Sequence, residues 1–233
     1  MLAHASSMGN VMLKFICTLR HVGALLALIA GIIPTISAKP IAFANGTTIM
    51  AEYGAGTMEE AQVFYAPYYW LSLGAGALRL DSDATSRTRD IEYLRANYLV
   101  HRWNLDDAQA NIFAWGGLGT ATGSDFRGSR LDREVGFQAD YETRRLYASW
   151  VTDLHESSAY SDRVDTVQLG FAPYAHDYQD LATWFVLQAR DYSGGIHHGV
   201  EYAALVRLFK GGAWIEAGLT QDAKPQLMMM FNF

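Results

Sequence analysis

A few residues have types and spacing that could carry chemistry: His197-His198, Asp81 with Asp83, Met228 with Met230, and Ser149 with Asp153. Adjacent histidines hold a metal only when further ligands complete the set, and none is apparent beside 197–198, which reads as a solvated loop. Asp81 and Asp83 form a D-x-D pair without the rest of a calcium loop, so they read as turn formers. Met228 and Met230 share one face of a strand; their thioethers could meet a soft metal, but filling space is the better account. Ser149 and Asp153 also share a strand face. A hydrolase needs a base in contact with its nucleophile, and no histidine is placed beside this pair. Gly74-Ala75-Gly76 and Gly116-Gly117-Leu118-Gly119 lack the Lys-Ser/Thr that completes a phosphate loop. They are expected to let bulky neighbours pack closely. No enzymatic activity, cofactor or metal follows from these features.

The remaining chemistry is charge. Glu52, Arg95, His101, Asp140, Asp153, Arg190, Glu201, Arg207 and Glu216 are mixed in sign, and each falls on the less apolar face of an alternating segment. The chain has 233 residues, 50% of them hydrophobic and 13% aromatic, with 21 glycines. Its mean hydropathy is zero. Residues 1–44 carry Lys14, Arg20 and Lys39 and no acid. Removing three of 18 basic residues leaves 15 against 24 acids, a net charge of −9 for 45–233. That balance argues against a nucleic-acid partner.

Residues 1–44 read as a cleaved signal peptide. Lys14, Arg20 and His21 precede the apolar run Val22–Ile33, and small residues follow at Ala38 and at Ala42-Phe43-Ala44. Cleavage after Ala44 is favoured by its small residues at the last and third-last positions; Ala38 is the other candidate. Translation starts at Met1 or Met12. The single cysteine, Cys17, lies in the removed part.

From Thr47 onward, residues of alternating character recur with period two. The alternation predicts strands at Thr47–Tyr53, Ala61–Ala66, Leu71–Leu80, Ile91–Arg102, Ala110–Thr120, Glu134–Glu142, Leu146–Leu154, Thr166–Phe171, Trp184–Arg190, Val200–Leu208, Ala213–Leu219 and 225–233. In Ile91–Arg102, Leu94, Ala96, Tyr98 and Val100 face outward while Arg95, Asn97 and His101 face inward. The facing of Ala110–Thr120 stays open. Short connections near 67–70, 103–107, 142–145 and 209–212 alternate with longer polar ones near 81–90, 121–130, 155–162 and 191–198; 173–180 breaks the rule. Tyr68, Tyr69, Trp70, Trp103, Tyr141 and Tyr174 sit mostly beside the short turns, as an interfacial aromatic girdle would.

The last stretch, Pro225 to Phe233, places Leu227, Met229, Phe231 and Phe233 on one apolar face and ends on an aromatic residue. It resembles the C-terminal strand of bacterial outer-membrane, porin-like β-barrels, and the resemblance extends as a pattern over 45–233. It implies an all-β, transmembrane, antiparallel up-and-down barrel of about 12 strands. It also implies Sec-type export to the outer membrane of a Gram-negative bacterium. Outer-membrane lipids and lipopolysaccharide would surround the barrel. Periplasmic chaperones and the barrel-assembly machinery would handle it, with Leu227, Met229, Phe231 and Phe233 as the assembly signal. The expected function is a narrow pore for small solutes, lined by the nine charged or ionisable residues named above. The alternative is a non-conducting barrel working through its outer loops, and a membrane-embedded hydrolase comes last. The solute and the oligomeric state stay open. Deleting Phe233 is expected to lower the amount of assembled barrel in the outer membrane while secretion continues. Unchanged levels of assembled protein, measured by the migration difference between unheated and boiled samples, would refute that role.

Overall fold

The computed structural model describes residues 41, 43–82, 84–175 and 180–233. The expected leader lies outside these residues except at Ile41, Phe43 and Ala44, and so do Asp83 and residues 176–179.

Twelve strands follow one another: β1 (Gly46–Gly54), β2 (Met58–Tyr68), β3 (Leu71–Asp81), β4 (Thr88–Asn104), β5 (Ala108–Gly123), β6 (Arg130–Thr143), β7 (Leu146–Ser157), β8 (Ser161–Phe171), β9 (Ala182–Ser193), β10 (Gly199–Lys210), β11 (Ala213–Thr220) and β12 (Pro225–Asn232). Each pairs antiparallel with its sequence neighbours, and β1 pairs with β12 to close the barrel. This is the expected up-and-down topology. The seam runs from Thr48 opposite Asn232 to Gly54 opposite Gln226. It continues through reciprocal backbone hydrogen bonds between Thr47 and Phe233, so the terminal aromatic residue belongs to the closure.

The alternation sorts side chains as the sequence pattern requires. Along β4, Leu94, Ala96 and Tyr98 face outward and Tyr93, Arg95, Asn97 and Leu99 face inward. The outer wall carries large apolar residues, with Leu94 69% and Leu187 66% exposed. In water that much exposed apolar surface would be unfavourable; against lipid it is the stable arrangement. Tyr68, Tyr69, Trp103, Tyr141 and Tyr174 are exposed near the end bearing the short turns, while Trp70 stacks on Tyr68 at 5.2 Å and leans on the interior. Toward the opposite end the outward positions become charged: Arg79 pairs with Asp90 at 3.2 Å and Arg163 with Asp165 at 2.7 Å. Crossing lipid takes about 9–11 tilted residues. β4 has 17 and β5 has 16, so the wall projects beyond the apolar band at that end.

Two expectations are corrected. The longer connections are shorter than the polar composition suggests, because the strands run on into them. The 155–162 loop shrinks to 158–160, 81–90 to 82–87, 121–130 to 124–129 and 191–198 to 194–198. The second correction is His101. A bulge leaves Leu99 opposite Phe113 but His101 opposite Ile112, and the extra residue, Val100, reverses the phase. Arg102 turns inward instead and donates to Asn111 Oδ1 at 2.6 Å. His101 is exposed and packs on exposed Trp103, with ring centroids 4.3 Å apart.

β5 resolves the face that the sequence leaves open. Asn111, Phe113, Trp115 and Ala121 point inward. The inward glycines supply room where a neighbouring ring lies across the wall. A Cβ at Gly76 would overlap the Tyr93 ring, and one at Gly136 would overlap the Trp115 indole.

Ile41 is buried inside the barrel against Ala66, Leu99, Phe113 and Trp115. Cleavage after Ala38 keeps this contact and cleavage after Ala44 removes it. Burying an isoleucine is worth roughly 1.5–3 kcal/mol, so, where the leader expected from the sequence is removed, the chain that keeps this contact begins at Lys39. The intact mass of barrel extracted from membranes checks this, and a chain beginning at Asn45 would contradict it.

Candidate functional site in the barrel interior

The interior is bridged by charge. Of the nine residues expected to line it, all but His101 face inward. Seven of them gather into three sets of contacts, and Asp140 lies farther toward the short turns.

The first group joins β8 to β12. Arg207 pairs with Glu216 at 2.6 Å, and both side chains are 4% exposed. Arg207 also donates to Gln168 Oε1 at 2.7 Å, and its guanidinium lies over Trp214 and Tyr147, 4.0 and 4.5 Å from the ring centroids. Gln168 donates to Gln188 at 2.8 Å and to Glu216 at 3.1 Å. Gln188 donates to Gln226, and Gln226 donates to Glu201. The chain of amides therefore links the two acids of this group to the arginine.

The second group spans the barrel. Arg190 on β9 pairs with Glu52 on β1, with three strands, β10 to β12, between them. Its Nε donates to Thr166 at 3.2 Å, and Tyr192 and Met58 lie against the same guanidinium. A pair between strands that are not neighbours must cross the interior, so it narrows the space inside the wall directly.

The third group is centred on Arg95, which contacts Glu134 on β6, Asp153 on β7 at 3.4 Å and Glu60 on β2 at 3.8 Å. Tyr93 donates to Glu60 and receives from Gln62. Trp115 Nε1 donates to Asp153 at 3.2 Å. Just beyond, His155 Nδ1 and Tyr160 both bond Asp132, at 2.8 and 2.7 Å. Arg89 is fully buried between Asp162 and Asp125, with the Tyr160 ring 3.9 Å from its guanidinium carbon. Tyr160 lies on the β7–β8 connection. Burial pushes its phenol well above the ordinary tyrosine range, and donation to Asp132 reinforces the shift, so it acts as a fixed donor. Asp140, farther toward the short turns, accepts from Asn111 at 2.6 Å and from Gln138 at 3.0 Å.

Sequence reasoning therefore found Arg95 and Asp153 but missed most of their surroundings: Glu60, Arg89, Tyr93, Asp132, His155, Tyr160 and Asp162. Extending the inward phase was the available signal. Arg89, Ile91, Tyr93 and Arg95 are spaced by two, as are Asp132 with Glu134 and Asp153 with His155. Asp81 ends β3, and its partner Asp83 lies outside the described residues. Ser149 is buried directly opposite Gln168, and no histidine contacts it among the described residues. Met230 is buried and Met228 half-buried, both on the inner face of β12.

A closed antiparallel wall, apolar outside and charged inside, is a porin-like transmembrane barrel. Among solved structures, a KdgM porin aligns with 81% of this chain and 98% of its own, at 9% identity and a TM-score of 0.44. The KdgM porin in complex with disordered oligogalacturonate gives the same coverage and identity with a TM-score of 0.45. A structure reported under "Unveiling the Mechanism Behind the in-meso Crystallization of Membrane Proteins" covers 81% of this chain and 83% of its own, at 11% identity and a TM-score of 0.38. No family model and no curated protein matches the chain. Likeness at this level concerns the fold.

Arg207 supplies the test of the interior energetics. Removing one partner of a buried ion pair strands the other and costs about 3–5 kcal/mol. Arg207→Ala should lower unfolding stability by that order, while the Arg207→Met/Glu216→Leu double variant should lose much less. Guanidinium unfolding of refolded barrel in lipid vesicles reads both, and a double variant as unstable as Arg207→Ala would contradict the assignment.

Proposed function

We propose that the chain is an outer-membrane barrel of a Gram-negative bacterium whose mixed-charge interior passes small solutes along a narrow path. The Arg190–Glu52 bridge across the interior carries this reading. A barrel serving only as an anchor could be filled with apolar side chains, since such replacements of buried ion pairs are often neutral or stabilising by about 1–4 kcal/mol. Paired charges are useful where a polar solute must exchange hydrogen bonds with the wall as it moves. Arginine and glutamate are long, so rotation of Arg190 or Glu52 opens space without moving the backbone.

A second reading has its own support. Met58, Leu80, Tyr93, Tyr160, Tyr192 and Ile196 form one apolar cluster drawn from opposite walls near the end with the longer connections. Such a cluster favours a shut barrel that works through those connections. Under either reading, export is of the Sec type. Periplasmic chaperones and the assembly machinery deliver the chain, and lipid and lipopolysaccharide surround it.

Single-channel recording in planar bilayers decides between the two. The pore reading expects small, reproducible conductance steps from folded protein, with larger steps for Tyr192→Ala, which removes one ring from the cluster. No steps from either protein, with folding verified by heat-modified migration, would overturn the pore and leave the shut barrel.

A further inference from the structure

Glu134, Asp153 and His155 present one carboxylate or imidazole atom each, all within 4.8 Å of one another. They arise from a single cross-strand ladder: Glu134 is paired with His155 and Gly136 with Asp153. Since Gly136 has no side chain, nothing from its own position stands between Asp153 and Glu134.

His155 is oriented for a ligand. Its Nδ1 bonds Asp132 at 2.8 Å, and that carboxylate also accepts from Tyr160. A carboxylate behind one ring nitrogen orients the imidazole so that the other nitrogen faces Glu134, and a metal ion bound there would displace any proton that this nitrogen carries. His155 is 4% exposed, and its Nε2 has no hydrogen-bond partner among the described residues. That atom points toward Glu134, 4.0 Å from Oε1. Glu134 is fully buried, and its Oε2 is also without a hydrogen-bond partner among the described residues.

Charge points the same way. Glu60, Glu134 and Asp153 surround Arg95, three carboxylates against one guanidinium. Buried carboxylates in excess of their cationic partners hold either a proton or a cation, and His155 beside Glu134 is the only other cationic partner among the described residues. Asp153 keeps 23% of its side chain accessible, which opens the cluster to ions in the interior.

We propose that Glu134, Asp153 and His155 form a binding site for a divalent first-row transition ion, with Asp132 as the positioning residue behind His155. One imidazole and two carboxylates suit zinc and its neighbours better than calcium, which prefers an all-oxygen shell. Bonds of about 2.0–2.2 Å would draw the three groups together, loosening Arg95 from Glu134 while its contact with Glu60 remains. The site goes beyond the pore reading and holds equally for a shut barrel.

The test uses refolded full barrel in detergent, stripped of metal, titrated with Zn2+ by calorimetry and with Co2+ by absorption. The expected result is one ion per chain, with affinity falling tenfold or more in His155→Gln and in Glu134→Gln. It should be unchanged in His197→Asn/His198→Asn, which removes half-buried His197, packed on Tyr192, and exposed His198 on the β9–β10 connection. Cobalt should show the visible bands of mixed nitrogen and oxygen ligation. Should His155→Gln fail to fold, Asp153→Asn takes its place, with the same fall expected. No saturable binding by wild type, or binding lost only in the His197/His198 variant, overturns the site.

Discussion

Every other feature of this protein depends on the seam between β1 and β12. In lipid a backbone amide without a partner costs several kcal/mol, and an open sheet edge would expose a whole row of them. The pairing of Thr48–Gly54 with Gln226–Asn232 removes both edges. Thr48 Oγ1 adds a 2.7 Å hydrogen bond to Asn232 on the inner face, and Phe233 exchanges backbone bonds with Thr47. The closing strand thus carries two duties with its two faces. Leu227, Met229, Phe231 and Phe233 face the lipid side, whereas Gln226, Met228, Met230 and Asn232 fill the inside. Closure then forces all interior side chains into one confined space, where charge must find charge.

The pairing inside follows from that confinement. Most charged groups that face inward sit beside an opposite charge or an amide, and many of those contacts join strands that are not neighbours in the wall. Such contacts couple distant parts of the barrel and hold the wall to one cross-section. They also set the space left inside the wall: it is as wide as the arrangement of Arg190, Arg207 and Arg95 permits. Around Arg95 the carboxylates outnumber the guanidinium, and Glu134, Asp153 and His155 there form the proposed cation site.

The fold was legible because alternation on a membrane barrel is a strong constraint: one misplaced charge on the lipid side is costly. The twelve strands and their sequential pairing follow from period two. Three things were not legible. β5 hides its phase because its inner residues, Phe113, Trp115, Gly117 and Gly119, are as apolar or as small as its outer ones. The bulge at Val100 reverses the phase within a segment whose residue types give no sign of it, and His101 was misassigned as a result. Polar stretches beyond the lipid look like loops although they are strands, so Arg89, Asp132, His155 and Asp162 escaped notice. There the outer face is charged as well, and the contrast between faces disappears.

The claim on which the account stands is the division of each strand into a lipid face and an interior face. A scan of single spin-labelled cysteines along β10, from Val200 to Lys210, tests it most directly, with any native cysteine replaced. Collision with oxygen, which concentrates in lipid, should peak at Tyr202, Ala204, Val206 and Leu208 and fall at Glu201, Ala203, Leu205 and Arg207. Oxygen accessibility without a period of two, or with its maxima on the second set, would contradict the account.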